Sequence, residues 1–207
     1  MAVDRNTPIT GTPALIADAA IRVMVNKGLD ALSVRNVAAE AGVAPGTVQY
    51  QMGTRDDIIA KAFIRSIQRQ ASRALGKTDA TDFRTAMHGR LAELLPIGPV
   101  QREDAAVWVI VGAAASTREW LADLYDAEVE SFRALVCNGL AAAEQHGKLN
   151  GELSPEQGAR LVTALVNGLT IDYLNGPKNS AQQLLADLDA GLALIIEPHG
   201  QRRIDAG

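Results

Sequence analysis

Residues 33–58 have the sequence SVRNVAAEAGVAPGTVQYQMGTRDDI, and their spacing predicts two short helices joined by a tight turn. Ser33 is a good N-cap for the first helix, and Pro45 is a favoured first-turn residue for the second. Between them Gly42 permits the turn, and Val48 is placed to fill the space where the two helices cross. This pattern predicts a helix-turn-helix.

The second helix of this motif combines small residues at its start with longer polar residues after them. The small residues are Ala44, Gly46 and Thr47, and the polar ones are Gln49, Tyr50 and Gln51. Small residues let a helix approach a nucleic-acid backbone closely, while amide and hydroxyl groups can bond to base edges in a major groove about 12 Å wide. The pattern therefore favours a helix that inserts into DNA.

Helical periodicity continues on both sides of the motif, and we find no alternating strand pattern and no internal repeat. The predicted helices cover about 14–28, 33–40, 45–51, 55–75, 81–95, 100–115, 118–146, 154–175 and 180–196. Composition agrees, because 47% of the residues are hydrophobic but only 4% are aromatic, which suits packed helices better than sheets. The sequence predicts an all-α chain of about nine helices.

Charge is distributed unevenly along the chain, although its formal net value is only −4. Residues 1–75 hold nine Lys/Arg and six Asp/Glu, a net +3, and the remainder has a net −7. A basic segment on an acidic body fits a DNA-binding module followed by a regulatory one. The chain has no apolar run long enough to span a membrane and no signal-peptide pattern, and Cys137 is its only cysteine, so we expect a cytoplasmic protein.

The stretch from Ala14 to Phe63 resembles the DNA-binding domain of the tetracycline-repressor (TetR) family. The matching elements, in order, are Ile16, Ala19-Ala20, Gly28, SVRNVAAEAGV, PGTVQ and GTRDDI. The resemblance implies a three-helix DNA-binding domain with the helix-turn-helix, which we place at 1–54. It also implies a larger helical domain for ligand binding and dimerisation, at 55–207, in a homodimer on operator DNA. Departures from the family pattern at Ala44, Gln49, Gln51 and Met52 leave the operator sequence open.

The resemblance also assigns site residues. Those expected to contact DNA are Ser33, Arg35, Ala44, Pro45, Gly46, Thr47, Gln49, Tyr50, Gln51 and Arg55. Arg55 and Tyr50 are predicted to bind phosphate, whereas Gln49 or Gln51 could bond adenine bidentately. Later charged residues are interpreted as solvated surface: Arg65, Arg69, Arg73, Glu93, Glu103 and Asp104.

Large, soft side chains in the body are candidates for lining the cavity of a small apolar inducer. They are Met87, His88, Leu91, Trp108, Val111, Trp120, Leu124 and Tyr125, and the alternative is that they only form core. Two apolar stripes at helical spacing are candidates for a four-helix dimer interface, the alternative being burial within one subunit. They comprise Leu161, Leu165, Leu169 and Tyr173 on one helix, and Leu184, Leu188, Leu192 and Ile195 on the last.

An enzyme is the main alternative from another class. One cysteine and three scattered histidines suggest no nucleophile–base pair, and neither metal-ligand spacing nor a phosphate-binding glycine loop is present. We therefore expect no catalysis, no cofactor and no metal. A further alternative is a helical small-molecule-binding or adaptor protein that has lost DNA binding. The unusual residues Ala44, Gln51 and Met52 suggest this alternative.

Overall fold

A computed structural model describes residues 7–77, 82–176 and 180–196. These residues form nine α-helices: α1 Gly11–Lys27, α2 Val34–Ala41, α3 Pro45–Met52, α4 Arg55–Leu75, α5 Phe83–Ala92, α6 Pro99–Ala115, α7 Glu119–Gln145, α8 Pro155–Asn175 and α9 Ala181–Ala193. A single 3-10 turn, Leu29–Ala31, follows α1, and Leu149 and Ile196 form an isolated antiparallel bridge. The predicted all-α class is confirmed.

The ends of the helices follow from local capping. Gly28 ends α1 with φ +82°, as its glycine suggested. Thr54 and Asp57 form a capping box at the start of α4, because each side chain bonds the backbone of the other. The Thr54 N–H donates to Asp57 Oδ2 at 2.9 Å, and the Asp57 N–H donates to Thr54 Oγ1 at 3.3 Å. Ser154 and Gln157 form the same kind of box at the start of α8. These caps explain why sequence signals located most boundaries well.

Helix α9 ends earlier than the periodicity predicted. Its last residue is Ala193, whereas the apolar spacing extends to Ile196. The backbone N–H of Asn150 bonds to the Ile195 carbonyl at 2.9 Å, and the Asn150 side chain donates to the Leu194 carbonyl at 3.0 Å. These bonds hold the chain in the bridge with Leu149 instead of a further helical turn. Helix α5 likewise ends at Ala92, three residues before its predicted end.

The described residues pack into two compact units, each with its own core. The N-terminal unit comprises the described residues up to Arg73 together with Gly98–Asp126, and the C-terminal unit comprises Ala74–Ile97 together with the described residues from Ala127 onward. Residues 55–73 and 98–126, which the sequence assigned to the regulatory domain, thus pack with α1–α3. Among the residues that can be described, no helix has the length and apolar character needed to cross a membrane.

The core of the N-terminal unit joins α1, the helix-turn-helix, the first part of α4 and α6. Ile16, Met24 and Phe63 are among its completely buried side chains. Three aromatic rings gather there: Trp108 lies 4.8 Å from Tyr125 and 5.7 Å from Phe63, measured between ring centroids. This core fixes α2 and α3 on a rigid support.

The core of the C-terminal unit joins α5, α8, α9 and residues of α7. Val162 of α8 and Leu188 and Leu192 of α9 are completely buried in it. Helices α8 and α9 approach closely at Gly191, where an added Cβ atom would clash with the end of the Leu165 side chain. The glycine therefore lets these two helices pack in direct contact.

Candidate DNA-binding site

The turn between α2 and α3 depends on Gly42. Its backbone is left-handed, with φ +67° and ψ +31°, and both its N–H and that of Val43 bond to the Ala38 carbonyl. Nothing lies within 4 Å of the position that a Cβ atom would take, so the backbone conformation rather than space favours glycine here. The predicted helix-turn-helix is confirmed, with its turn where the sequence placed it.

Helix α3 has one buried and one exposed side. Val48 and Met52, one turn apart, are completely buried in the core of the N-terminal unit. Gln49 and Tyr50 are exposed, and 87% of Tyr50 is accessible to solvent. A tyrosine so exposed is unusual in a folded chain, because its ring gains little by facing water. The helix thus presents polar side chains outward from an anchored base.

The first turn of α3 is small and lacks a side-chain cap. The side chain of the N-cap residue Ala44 has no acceptor for the first N–H groups of the helix, as the sequence indicated, although the Thr47 N–H donates to the Ala44 carbonyl at 2.9 Å. Pro45 and Gly46 are exposed, whereas Thr47 is half-buried. This end of the helix therefore leaves its backbone accessible to a close-approaching strand.

Helix α2 begins at the N-cap that the sequence predicted. The Ser33 hydroxyl accepts from the Asn36 N–H at 3.2 Å, and the Asn36 amide donates to the Ala31 carbonyl at 2.7 Å. Arg35, in the first turn, is exposed, so its guanidinium can reach a partner outside the chain. Ser33 is half-buried, and its capping role accounts for its side chain.

Arg55, the first residue of α4, bonds within the chain. Its Nε donates to the Leu32 carbonyl at 2.8 Å, and one terminal nitrogen donates to the Leu29 carbonyl at 2.9 Å. The same nitrogen lies 3.6 Å from the exposed carboxylate of Asp30. The guanidinium thus holds the connection between α1 and α2, and the phosphate contact predicted for it would have to use its other terminal nitrogen.

Several charges expected at the solvated surface form a network in the N-terminal unit, so that interpretation was wrong. Arg65 pairs with Asp18 of α1 at 3.0 Å, and Arg69 pairs with Asp18 at 3.4 Å and Glu103 at 3.1 Å. Completely buried Asp104 of α6 lies 3.2 Å from Arg69 and 2.9 Å from Arg73. Glu93, in the C-terminal unit, pairs with Lys77 at 3.3 Å. The network ties α1, α4 and α6 together behind the helix-turn-helix.

Burial raises the pKa of Asp104 to about 6, and the guanidinium groups of Arg69 and Arg73 limit that rise. Burial by itself would lower the pKa of Arg69, but the charges of Asp104, Glu103 and Asp18, together with the hydrogen bond to Glu103, outweigh it and raise that pKa. The carboxylate of Asp104 therefore titrates nearer to neutrality than an ordinary aspartate.

At the start of α4, bonds from the Thr54 backbone and hydroxyl lower the pKa of Asp57.

Five residues predicted to bind ligand lie in the N-terminal unit. Trp108, Leu124 and Tyr125 are half-buried against its core, Val111 is completely buried, and Trp120 is partly exposed. A Cβ atom on Gly112 would come within 2.9 Å of the Tyr125 ring, so this ring packs directly on α6. The contacts of these residues are those of core packing, the alternative weighed from the sequence, and their role toward a ligand stays a prediction.

The other three residues predicted to bind ligand lie in the C-terminal unit. Leu91 is buried in its core and Met87 packs against it. His88 Nε2 lies 3.1 Å from the Leu185 carbonyl, which links α5 to α9. A cavity of about 110 Å³ in this unit is lined instead by α8 and α9, at Leu169, Asp172, Tyr173, Gln183, Leu184 and Asp187.

The α9 stripe predicted for the dimer interface packs inside its own unit. Leu184, Leu188, Leu192 and Ile195 are all at most 4% exposed, because α9 turns this side toward α8 and α5. On α8, Leu165, Leu169 and Tyr173 are half-buried against the same core, while Leu161 is 48% exposed. Burial within one subunit accounts for most of the two stripes.

Another side of α8 carries apolar residues that the described part of the chain leaves exposed. Leu161 and Ile171 are exposed, and Gly168 lies between them with nothing within 4 Å of its Cβ position. Leu194, directly after α9, is 73% exposed. Gly158, near the start of α8, packs against Leu140 and Ile195 of its own unit.

Two family models match this arrangement. Residues 16–62 match the model of bacterial regulatory proteins of the tetR family, and residues 83–197 match the C-terminal model of BetI-type transcriptional repressors. The second match alone covers more than half of the 207 residues. The chain belongs to the TetR family of transcriptional regulators.

Individual proteins agree with this membership. The TetR-family chain is 24% identical over 164 residues to the HTH-type transcriptional regulator PksA of Bacillus subtilis (strain 168), covering 78% of each chain. A transcriptional regulator from Rhodococcus sp. Rha1 superposes with a TM-score of 0.78 at 27% identity, over 89% of this chain and 96% of that one. A regulator from Saccharomonospora viridis, solved in complex with choline, shares the fold with a TM-score of 0.78 at 22% identity, over 89% and 97% of the two chains.

Proposed function

We propose that this TetR-family regulator is a ligand-responsive repressor that binds a palindromic operator as a homodimer. The observation that carries the proposal is the exposed polar side of α3, held on the buried residues Val48 and Met52. A short anchored helix with Gln49 and Tyr50 outward suits insertion into a major groove. Residues 1–54 would read DNA, and residues 55–207 would bind ligand and dimerise.

Several residues of the motif have a role in this proposal; of those named here Gln51 is half-buried and the others are exposed. Gln49 or Gln51 would bond a base edge, and the Tyr50 hydroxyl would bond a phosphate. Arg35 would add a charged phosphate contact from α2. Gly46 would allow close approach of the α3 backbone to the strand, because it carries no side chain and is exposed.

The homodimer would use the uncovered side of α8 and the residue that follows α9. Exposed Leu161 and Ile171 are separated by about three helical turns, and Gly168 between them leaves room for a second helix. Leu194 directly follows the last residue of α9 and is also exposed. Burying these side chains against a second copy would remove apolar surface from water.

Ligand would favour the arrangement of the body in which the two α3 helices no longer fit successive major grooves, which lie about 34 Å apart. The proposed ligand is small and largely apolar, and Trp108 and His88 are the first residues to test. Choline, seen with the Saccharomonospora viridis protein, belongs in the ligand panel because it combines methyl groups with a cation that aromatic rings can bind.

The deciding experiment is a genome-wide selection of fragments bound by the purified protein, followed by fluorescence anisotropy of each bound fragment over a range of salt concentrations. We expect an inverted repeat in the bound fragments and an affinity that falls as salt rises. Failure to bind any fragment at low salt without ligand would overturn the proposal of a repressor and favour a helical adaptor that has lost DNA binding.

A further inference from the structure

Lys61 of α4 bonds to the end of α3. Its ammonium nitrogen lies 3.0 Å from the Gln51 carbonyl oxygen and 3.1 Å from that of Met52, the last two residues of α3. The side chain crosses from the second turn of α4 and is half-buried. Sequence patterns did not single out this contact, because Lys61 and Met52 are nine positions apart and lie on different helices.

The chemistry of a helix end explains why this contact matters. The last carbonyls of a helix have no partner within it and carry its negative partial charge, so a cation there is favourable. Helix α3 has only eight residues, carries no basic residue in its last turn and has no side-chain cap at Ala44. Lys61 thus supplies from another helix the cation that α3 lacks.

The contact also joins two elements with different surroundings. Helix α4 is anchored in the core of the N-terminal unit by Ile58, Ile59 and Phe63, which are completely buried. The exposed Gln49 and Tyr50 lie within one turn of the carbonyls that Lys61 binds. The orientation of these two side chains therefore depends on how firmly the end of α3 is held.

We infer that Lys61 is a positioning residue for operator binding, which fixes the C-terminal end of α3 on α4 without contacting DNA. The inference rests on the proposed function. Its rival is a direct phosphate contact by the same ammonium group. The two differ measurably, because a phosphate contact contributes to the dependence of affinity on salt and a bond inside the protein does not.

The test compares Lys61→Met with Lys61→Arg and with Lys27→Met, which removes the same charge from the exposed end of α1. Fluorescence anisotropy on a selected operator fragment at four salt concentrations gives the affinity and its salt slope. Circular dichroism first establishes that each variant is folded. We expect Lys61→Met to bind about tenfold more weakly at every salt concentration with an unchanged slope, and Lys61→Arg to recover most of the affinity.

A second measurement does not need DNA. Amide hydrogen exchange in the free protein should become faster for Gln51, Met52 and Gly53 in Lys61→Met and stay unchanged in Lys27→Met. A salt slope lowered by about 0.9 in Lys61→Met would assign a phosphate contact instead and overturn the inference. Unchanged affinity and exchange would also overturn it, while a wild-type protein that binds no fragment would overturn the proposed function itself.

Discussion

Replacing Arg55 with methionine distinguishes the two roles open to this side chain. Methionine keeps an unbranched apolar stem but removes the donors to the Leu29 and Leu32 carbonyls, 2.9 and 2.8 Å away. A bond from a charged donor contributes about 1.5–3 kcal/mol, and these two are half-buried, so the lower value applies to each. The ion pair with Asp30 adds little, because that carboxylate is 94% exposed. We therefore expect Arg55→Met to lower the free energy of unfolding by about 3 kcal/mol.

The assay is urea unfolding followed by circular dichroism at one protein concentration, since dimerisation would make stability depend on concentration. Arg55→Lys is the matched control: it keeps the charge but, with one ammonium group, cannot reproduce the fork that spans both carbonyls. It should lose about half as much stability. The reasoning is refuted if Arg55→Met changes stability by less than about 0.5 kcal/mol and instead lowers the salt slope of operator binding by about 0.9, the signature of a phosphate contact.

Four other perturbations have defined outcomes. Tyr50→Ala should weaken operator binding about tenfold in an anisotropy titration, and Tyr50→Phe should weaken it equally if the hydroxyl makes the contact; wild-type affinity in both would remove Tyr50 from the interface. The pKa of Asp104 is about 6 in the folded protein and 3.8 in the unfolded reference, so below pH 6 the folded form binds a proton that the unfolded form does not. The free energy of unfolding of the wild type, relative to that of Asp104→Asn, should therefore rise by up to about 3 kcal/mol from pH 7 to pH 4. A difference that stays constant with pH would contradict the shift. Leu161→Glu should convert the proposed dimer to monomer in sedimentation velocity, whereas the same change at Leu135, an exposed residue of α7, should not; a dimer in both would place the interface elsewhere. Trp108→Ala should change the ligand concentration that releases the protein from operator DNA. An unaltered concentration would indicate that Trp108 only packs in the core and does not bind ligand.

The helix-turn-helix could be predicted because its determinants are local. Ser33 caps α2 by accepting a bond from the N–H three residues later, Gly42 adopts a left-handed conformation in the turn, and Pro45 is the first residue of α3. Each of these determinants acts within a few residues of its own position. The family resemblance then supplied the three-helix domain around it. Signals of this kind do not depend on how distant parts of the chain meet.

The charge network could not be predicted in the same way. Arg65, Arg69 and Arg73 recur every fourth residue, so their shared side of α4 was visible in the sequence. Their partners Asp18 and Asp104 lie on other helices, however, and periodicity does not say which charges on separate helices meet. Without known partners, these charges were interpreted as solvated surface residues. Packing between helices instead brings them into ion pairs.

The apolar stripe of α9 illustrates a second limit. Periodicity identified Leu184, Leu188 and Leu192 as one side of a helix, which is correct. It cannot distinguish a side that packs on the same subunit from one that packs on a second copy, because both are apolar. Exposure in the folded chain narrows the choice, and on α8 the residues Leu161 and Ile171 are exposed, so the proposed interface is placed there.

Helix α3 contains no charged side chain, since its sequence is PGTVQYQM. In a genome, a repressor must find one site among millions of competing sequences, which hold it chiefly by attraction between its cations and phosphates. Substitutions among the exposed uncharged residues of α3 would change the preferred sequence while leaving that general attraction almost constant. A lineage could therefore acquire a new target through this helix alone, without also becoming trapped more often, or less often, on the rest of the chromosome.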